Sequence, residues 1–74
     1  MIKIKVGQVW QHRNDEIALI TNIEDKNVSL LYPDGYAITE EYNERFYFNY
    51  VFYKLLAEYP TWQEAINSEE FRDE

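Results

Sequence analysis

The groups in this chain that could carry chemistry are few. There is one imidazole, His12, and there are two serine hydroxyls, Ser29 and Ser68, with no cysteine among the 74 residues. A nucleophile needs a base held beside it. Ser29 falls instead in an alternating strand pattern, and Ser68 falls where a helix cap is wanted. Carboxylates occur as the adjacent pairs Glu40-Glu41 and Glu69-Glu70. Neighbours in an extended chain point to opposite faces, so Glu40 and Glu41 make a poor acid–base dyad. Glu69 and Glu70 sit at a predicted helix start, where the helix dipole favours negative charge. No metal-ligand spacing is present, and two glycines cannot build a phosphate-cradling loop. The expectation is a protein that is not an enzyme, with no catalytic residue, no metal site and no cofactor.

Binding chemistry has more material. Thirteen aromatic residues are present, and six of them fall in the nine-residue run Arg45–Tyr53, RFYFNYVFY. Phe46, Phe48, Tyr50 and Phe52 share one strand parity, while Tyr47, Asn49, Val51 and Tyr53 share the other. The first set is nearly all phenylalanine and the second carries hydroxyls and an amide. That is the division of a half-buried strand, with phenyl rings inward and phenols at the solvent boundary. The run resembles in part the aromatic RNA-binding strand of the RRM. Tyr47 and Asn49, however, fill positions where that pattern has small residues that let bases approach.

Charge argues the same way. The net charge is −7, split into +3 over residues 1–13 (Lys3, Lys5, Arg13) and −10 over the remainder. Binders of single strands pair stacking aromatics with a basic groove, and an acidic surface repels a phosphate backbone at long range. Nucleic acid is therefore not the expected partner. A protein partner is expected, with Tyr36, Tyr42, Tyr47 and Tyr53 as candidate contact residues, because aromatics are the usual interface anchors. The alternative is an acidic nucleic-acid mimic that inhibits a host nucleic-acid-binding protein. Glu40, Glu41, Glu44, Glu64, Glu69, Glu70, Asp73 and Glu74 would have to line up for that.

The elements that must position these residues can be read along the chain. Ile2, Ile4 and Val6 alternate with Lys3 and Lys5, which predicts a short edge strand with lysines outward. Gly7 allows a bend before a second strand over Val9–Arg13, and Asn14-Asp15 signals a turn. Glu16–Ile23 is apolar on both faces, so it should be central in the sheet. Ile17, Leu19, Thr21 and Ile23 are expected on one face, and Ala18, Ile20 and Asn22 on the other. After the polar turn Glu24–Asn27, the next strand runs over Val28–Tyr32.

Tyr32-Pro33-Asp34-Gly35-Tyr36 is the clearest local signal. Pro33 presets φ for the first turn position, and Gly35 can take φ > 0 without a Cβ clash. This predicts a three-residue hairpin loop, a type I turn closed by a G1 bulge. Such a loop fixes the register. Tyr32 should face Tyr36, Leu30 should face Ile38 and Val28 should face Glu40. Leu31 should meet Ala37, and Ser29 should meet Thr39. Lys54–Tyr59 could continue the aromatic strand or begin a helical turn. Pro60 then ends that element, and Thr61-Trp-Gln-Glu64 fits a capping box. A short helix follows over about residues 61–68, with Trp62 and Ile66 on one face. Ser68 reads as a second cap and Phe71 as the last residue to dock.

Five or so short strands, Val6-Gly-Gln-Val-Trp10, the PDG hairpin and a terminal helix resemble an SH3-like barrel, a fold that includes the KOW-type modules. The basic surface of KOW modules is missing, so their RNA binding is not implied. VGQVW, LLYPDGY and YPTWQEAINSEEF further resemble the YorP-like small proteins of SPβ-type Bacillus prophages. That resemblance implies a compact barrel in a bacterial cytoplasmic setting and no particular activity. The absence of cysteine also fits a reducing compartment, and no apolar run is long enough to span a membrane.

The expected fold is thus mainly β. It is one SH3-like barrel domain over residues 1–74, with about five strands, a short C-terminal helix and a monomeric state. The expected core is Val9, Ile17, Leu19, Ile23, Leu30, Ile38, Phe48, Phe52, Leu55, Trp62 and Ile66.

Overall fold

The structure, a computed structural model, describes residues 4–12, 14–41 and 52–71, with the side chains of Phe52 and Tyr53 outside that description. Five strands and one short helix follow one another: β1 (Gln8–His12), β2 (Ile17–Glu24), β3 (Asn27–Leu31), β4 (Ala37–Glu41), β5 (Phe52–Glu58) and α1 (Trp62–Ile66). The strands form one antiparallel sheet in the order β4-β3-β2-β1-β5. The doubly apolar β2 is the middle strand, as its sequence requires. The alternatives left open for Lys54–Tyr59 resolve to strand, since β5 runs through Glu58 and pairs with β1.

Because β2 is apolar on both faces, apolar side chains pack on both sides of the sheet. On one side Ile4, Trp10, Ala18, Ile20, Val28 and Leu30 are buried together, with Val6, Ile23, Tyr32, Ile38 and Leu55 against them. On the other side Val9, Leu19, Ala65 and Phe71 are buried, flanked by Ile17, Leu31, Leu56, Tyr59 and Trp62. Each fully buried aliphatic side chain contributes about 1.5–3 kcal/mol relative to an exposed one. Val9, Leu19 and Leu30 are core residues as expected, and Ile17, Ile23, Ile38, Leu55 and Trp62 pack at its margins. Phe48 and the Phe52 side chain lie outside the described residues.

Several expectations are corrected. First, residues 4–6 of the expected first strand are not strand. The burial alternation is there, with Ile4 buried and Lys5 exposed. The backbone instead turns, with Gln8 N donating to Lys5 O at 3.3 Å. Gly7, at φ +96°, and the Gln8 side chain, whose Oε1 accepts from Lys5 N at 3.0 Å, supply what a strand partner would have supplied.

Second, Ile23 does not share a side with Ile17 and Leu19. Ile20 pairs with Leu30, but Asn22 pairs with Ser29, so Thr21 is an extra residue in β2. One extra residue reverses the alternation beyond it. Ile23 therefore joins Ile20 and Val28 on the Trp10 side.

Third, Ile66 is 38% exposed and Ala65 is the buried residue of the helix. Ala65, with Trp62 one turn before it at the core's margin, faces inward, and α1 rests on β1 and β2. Ile66, about 100° further round at 3.6 residues per turn, faces away. The cap itself forms as read: Thr61 Oγ1 accepts from Glu64 N at 3.2 Å. Ser68 does not start a second helix, because its hydroxyl donates to Ala65 O and closes α1 from behind. Phe71 docks as expected, at 6% exposure.

Candidate functional site at the β3–β4 hairpin

The β3–β4 hairpin has the register its loop demands. Val28 pairs with Glu40, Ser29 with Thr39, Leu30 with Ile38 and Leu31 with Ala37. Gly35 N donates to Tyr32 O at 2.9 Å, and Tyr32 N donates to Tyr36 O at 2.8 Å. Gly35 sits at φ +95°, the left-handed position of the G1 bulge. Asp34 Oδ1 accepts from Tyr36 N at 2.9 Å and fixes the backbone that carries Tyr36. The rings of Tyr32 and Tyr36 meet across the mouth, with centroids 6.0 Å apart and planes tilted by 42°. Such a pair adds about 0.2–1 kcal/mol. Tyr32 leans on the core, whereas Tyr36 is 61% exposed.

The turn between β1 and β2 comes to the same end of the sheet, because Leu19 pairs with Leu31 and β2 begins just before it. That turn is closed by backbone bonds from Asp15 N to His12 O and from His12 N to Glu16 O. Asn14 and Glu16 hold each other. Asn14 Nδ2 donates to Glu16 Oε1 at 2.8 Å, and Glu16 N donates to Asn14 Oδ1 at 3.1 Å. Glu40 shares strand parity with Ile38 on β4. Burial, and then the negative fields of Glu16 and Glu40, raise the Tyr32 phenol above its ordinary pKa. The tip is therefore a pair of phenol rings, with Asp34 in its loop and the fields of Glu16 and Glu40 reaching Tyr32. The sequence pointed to the tyrosines. It did not bring Glu16 to them, because that neighbourhood exists only once β2 pairs with β3.

Of the other candidate contact residues, Tyr42 and Tyr47 lie outside the described residues. Tyr53 is placed on β5 by its backbone alone. Most of the RFYFNYVFY run falls outside in the same way, and with it the expected inward phenyl face.

The groups first considered for catalysis are engaged in structural bonds. His12 Nδ1 accepts from Asn14 N at 3.3 Å. Ser29 Oγ and Thr39 Oγ1 share a hydrogen bond of 3.1 Å across β3 and β4. Among the described residues, no three His, Asp or Glu side chains gather in a way that could hold a metal ion. No helix among them is long and apolar enough to cross a membrane.

A second polar cluster, which the sequence did not suggest, lies at the opposite corner. Gln8 is 1% exposed. Its Oε1 accepts from Trp10 Nε1 at 2.9 Å as well as from Lys5 N, and its Nε2 donates to Glu58 Oε2 at 2.8 Å. An open cleft of about 370 Å³ lies beside it, lined by Lys5, Val6, Gln8, Glu58, Tyr59 and Pro60. The available signal was parity: Gln8 and Trp10 share a strand face, and a buried indole N–H needs an acceptor. No family model, no curated protein and no solved structure matches this chain.

Proposed function

We propose that this domain is a non-catalytic protein-interaction module that docks its partner at the tip of the β3–β4 hairpin. One observation carries the reading: Tyr36 is 61% exposed on a loop whose geometry is fixed by three hydrogen bonds and a glycine bulge. A large amphipathic ring held rigidly at the surface loses little conformational freedom on binding, which is why such rings anchor interfaces. The structural bonds of His12, Ser29 and Ser68 support the non-catalytic part. On the strength of the resemblance to small prophage proteins, we read the setting as a bacterial cytoplasm and the partner as a host protein; we read the free state as a monomer. We read the sheet as an SH3-like barrel, supported by the return of the last strand to the side of the first.

The alternative reading, an acidic nucleic-acid mimic, needs carboxylates in a row. Of the acids named for such a row, Glu44, Asp73 and Glu74 lie outside the described residues. The test is capture from bacterial lysate on immobilised wild type and on Tyr36→Ala, with both proteins shown to melt alike. The expected result is a polypeptide retained by wild type and lost with the variant. Retention of the same set by both proteins would overturn the reading.

A further inference from the structure

We infer that the hairpin tip takes an arginine-bearing segment of its protein partner, with the guanidinium seated against the Tyr32–Tyr36 rings and within reach of Glu16 and Glu40. This deepens the docking reading and rests on it. Three observations carry it together. The ring centroids are 6.0 Å apart and the planes tilted by 42°, so the two rings are not stacked face to face. Tyr36 is the most exposed large apolar side chain among the described residues, at 61%. Among the described residues, the Asp, Glu, Lys and Arg side chains on the elements that meet here are Asp15 and Glu16 from the β1–β2 turn, Asp34 from the loop, and Glu40 and Glu41 from β4, all acidic.

A cation over an aromatic face is attracted by the ring quadrupole, and arginine is the more frequent partner because its planar guanidinium also stacks. The same plane can form paired hydrogen bonds to a carboxylate, which an ammonium cannot. Glu16 is suited to this because Asn14 Nδ2 donates to its carboxylate at 2.8 Å, while the Glu16 N–H donates to Asn14 Oδ1 and ties down the backbone beneath it. Little freedom is then left to lose on binding. The negative fields of Glu16 and Glu40 reach the Tyr32 phenol, which supports the same placement. A net charge of −7 adds long-range attraction for a basic segment and repels an acidic one.

The probe is a capped peptide, acetyl-Gly-Arg-Gly-Arg-Gly-amide, titrated into the labelled protein at low salt and followed by two-dimensional NMR. Saturable shifts are expected at the amides of Asn14, Glu16, Tyr32 and Tyr36. Binding should weaken by about fivefold in Tyr36→Ala and in the Glu16→Gln/Glu40→Gln double variant. It should weaken by roughly threefold when lysine replaces arginine, and it should fade as salt is raised. Glu16→Gln keeps the Oε1 that Asn14 uses, so the turn is preserved. Shifts that are equal for a glutamate peptide, that lie elsewhere, or that survive in the variants would overturn the inference, as would a comparable response to a single-stranded oligonucleotide. If the peptide is silent while lysate capture is still lost in Tyr36→Ala, the arginine chemistry fails and the docking reading stands. If capture survives in that variant, the docking reading itself fails.

Discussion

Two glycines in this domain have almost the same backbone conformation and opposite surroundings. Gly7 is at φ +96° and Gly35 at φ +95°. A Cβ placed on Gly35 would meet nothing within 4 Å, whereas one placed on Gly7 would lie 2.2 Å from Tyr59 O. Each glycine also has a tyrosine beside it. Tyr36 points out from the Gly35 loop. Tyr59 is tied in: its N–H donates to Gly7 O at 3.1 Å, and its hydroxyl donates to Glu70 Oε1. The Gly7 corner is where the start of the chain, β5 and the helix region are joined. The hydrogen bonds described for the Gly35 loop all lie within its own hairpin, and Tyr32 leans on the core beneath it. Folding depends on the first and can spare the second, and a rigid feature that folding can spare is available for recognition.

The comparison can be broken most forcefully at Gly7. Gly7→Ala combines a left-handed backbone, costing about 1–2 kcal/mol for an L residue, with a collision against backbone that cannot rotate aside. A loss of roughly 4 kcal/mol or more is expected, a large share of the stability of a domain this small. Urea denaturation should find the variant largely unfolded at room temperature.

Next comes Gln8→Ala, which withdraws the acceptor used by Trp10 Nε1 and Lys5 N. The expected loss is about 1–3 kcal/mol, readable as a lower urea midpoint with an altered tryptophan emission. Gly35→Ala should cost only about 1–2 kcal/mol, the conformational term alone. Equal losses at the two glycines would erase the distinction drawn between corner and tip. Tyr36→Ala should fall within about 1 kcal/mol of wild type, while removing partner binding.

The Tyr59–Glu70 bond sharpens the same contrast through pH. The phenol hydrogen bond holds the Glu70 carboxyl below its ordinary pKa, and that same bond raises the Tyr59 phenol. The depressed carboxylate stabilises the fold above the unfolded carboxylate pKa, and this support is lost as pH falls through the folded value. The raised phenol stabilises the fold below the unfolded phenol pKa and loses that support as pH rises through its folded value. Tyr59→Phe should therefore flatten the pH dependence of the melting temperature at both ends. An unchanged profile would show that the bond contributes nothing to stability.

The sequence carried the hairpin completely. Pro33, Asp34 and Gly35 select one loop, one loop selects one register, and every cross-strand pair from Val28–Glu40 to Leu31–Ala37 follows. It also carried the central place of β2, because only a middle strand can bury both faces. It could not carry the parity change at Thr21, since a bulge is decided by how two strands accommodate each other. The alternation of Ile4, Lys5 and Val6 was real, but alternation reports burial and not backbone pairing. Gln8 was hidden for a different reason: a polar residue reads as surface unless its partners are known. Of the candidate site, Tyr36 was legible from loop chemistry. The convergence of Glu16 with Tyr32 and Tyr36 required the pairing of β2 with β3, which no local pattern states.

The claim at the centre of this account is that the hairpin tip touches the partner. A photoreactive phenylalanine analogue placed at position 36, with the same group at the exposed Gln63 as the control, tests it directly in bacterial lysate. The account predicts a covalent adduct from position 36 that the arginine peptide suppresses, with none from position 63. An adduct from position 63 alone would contradict it.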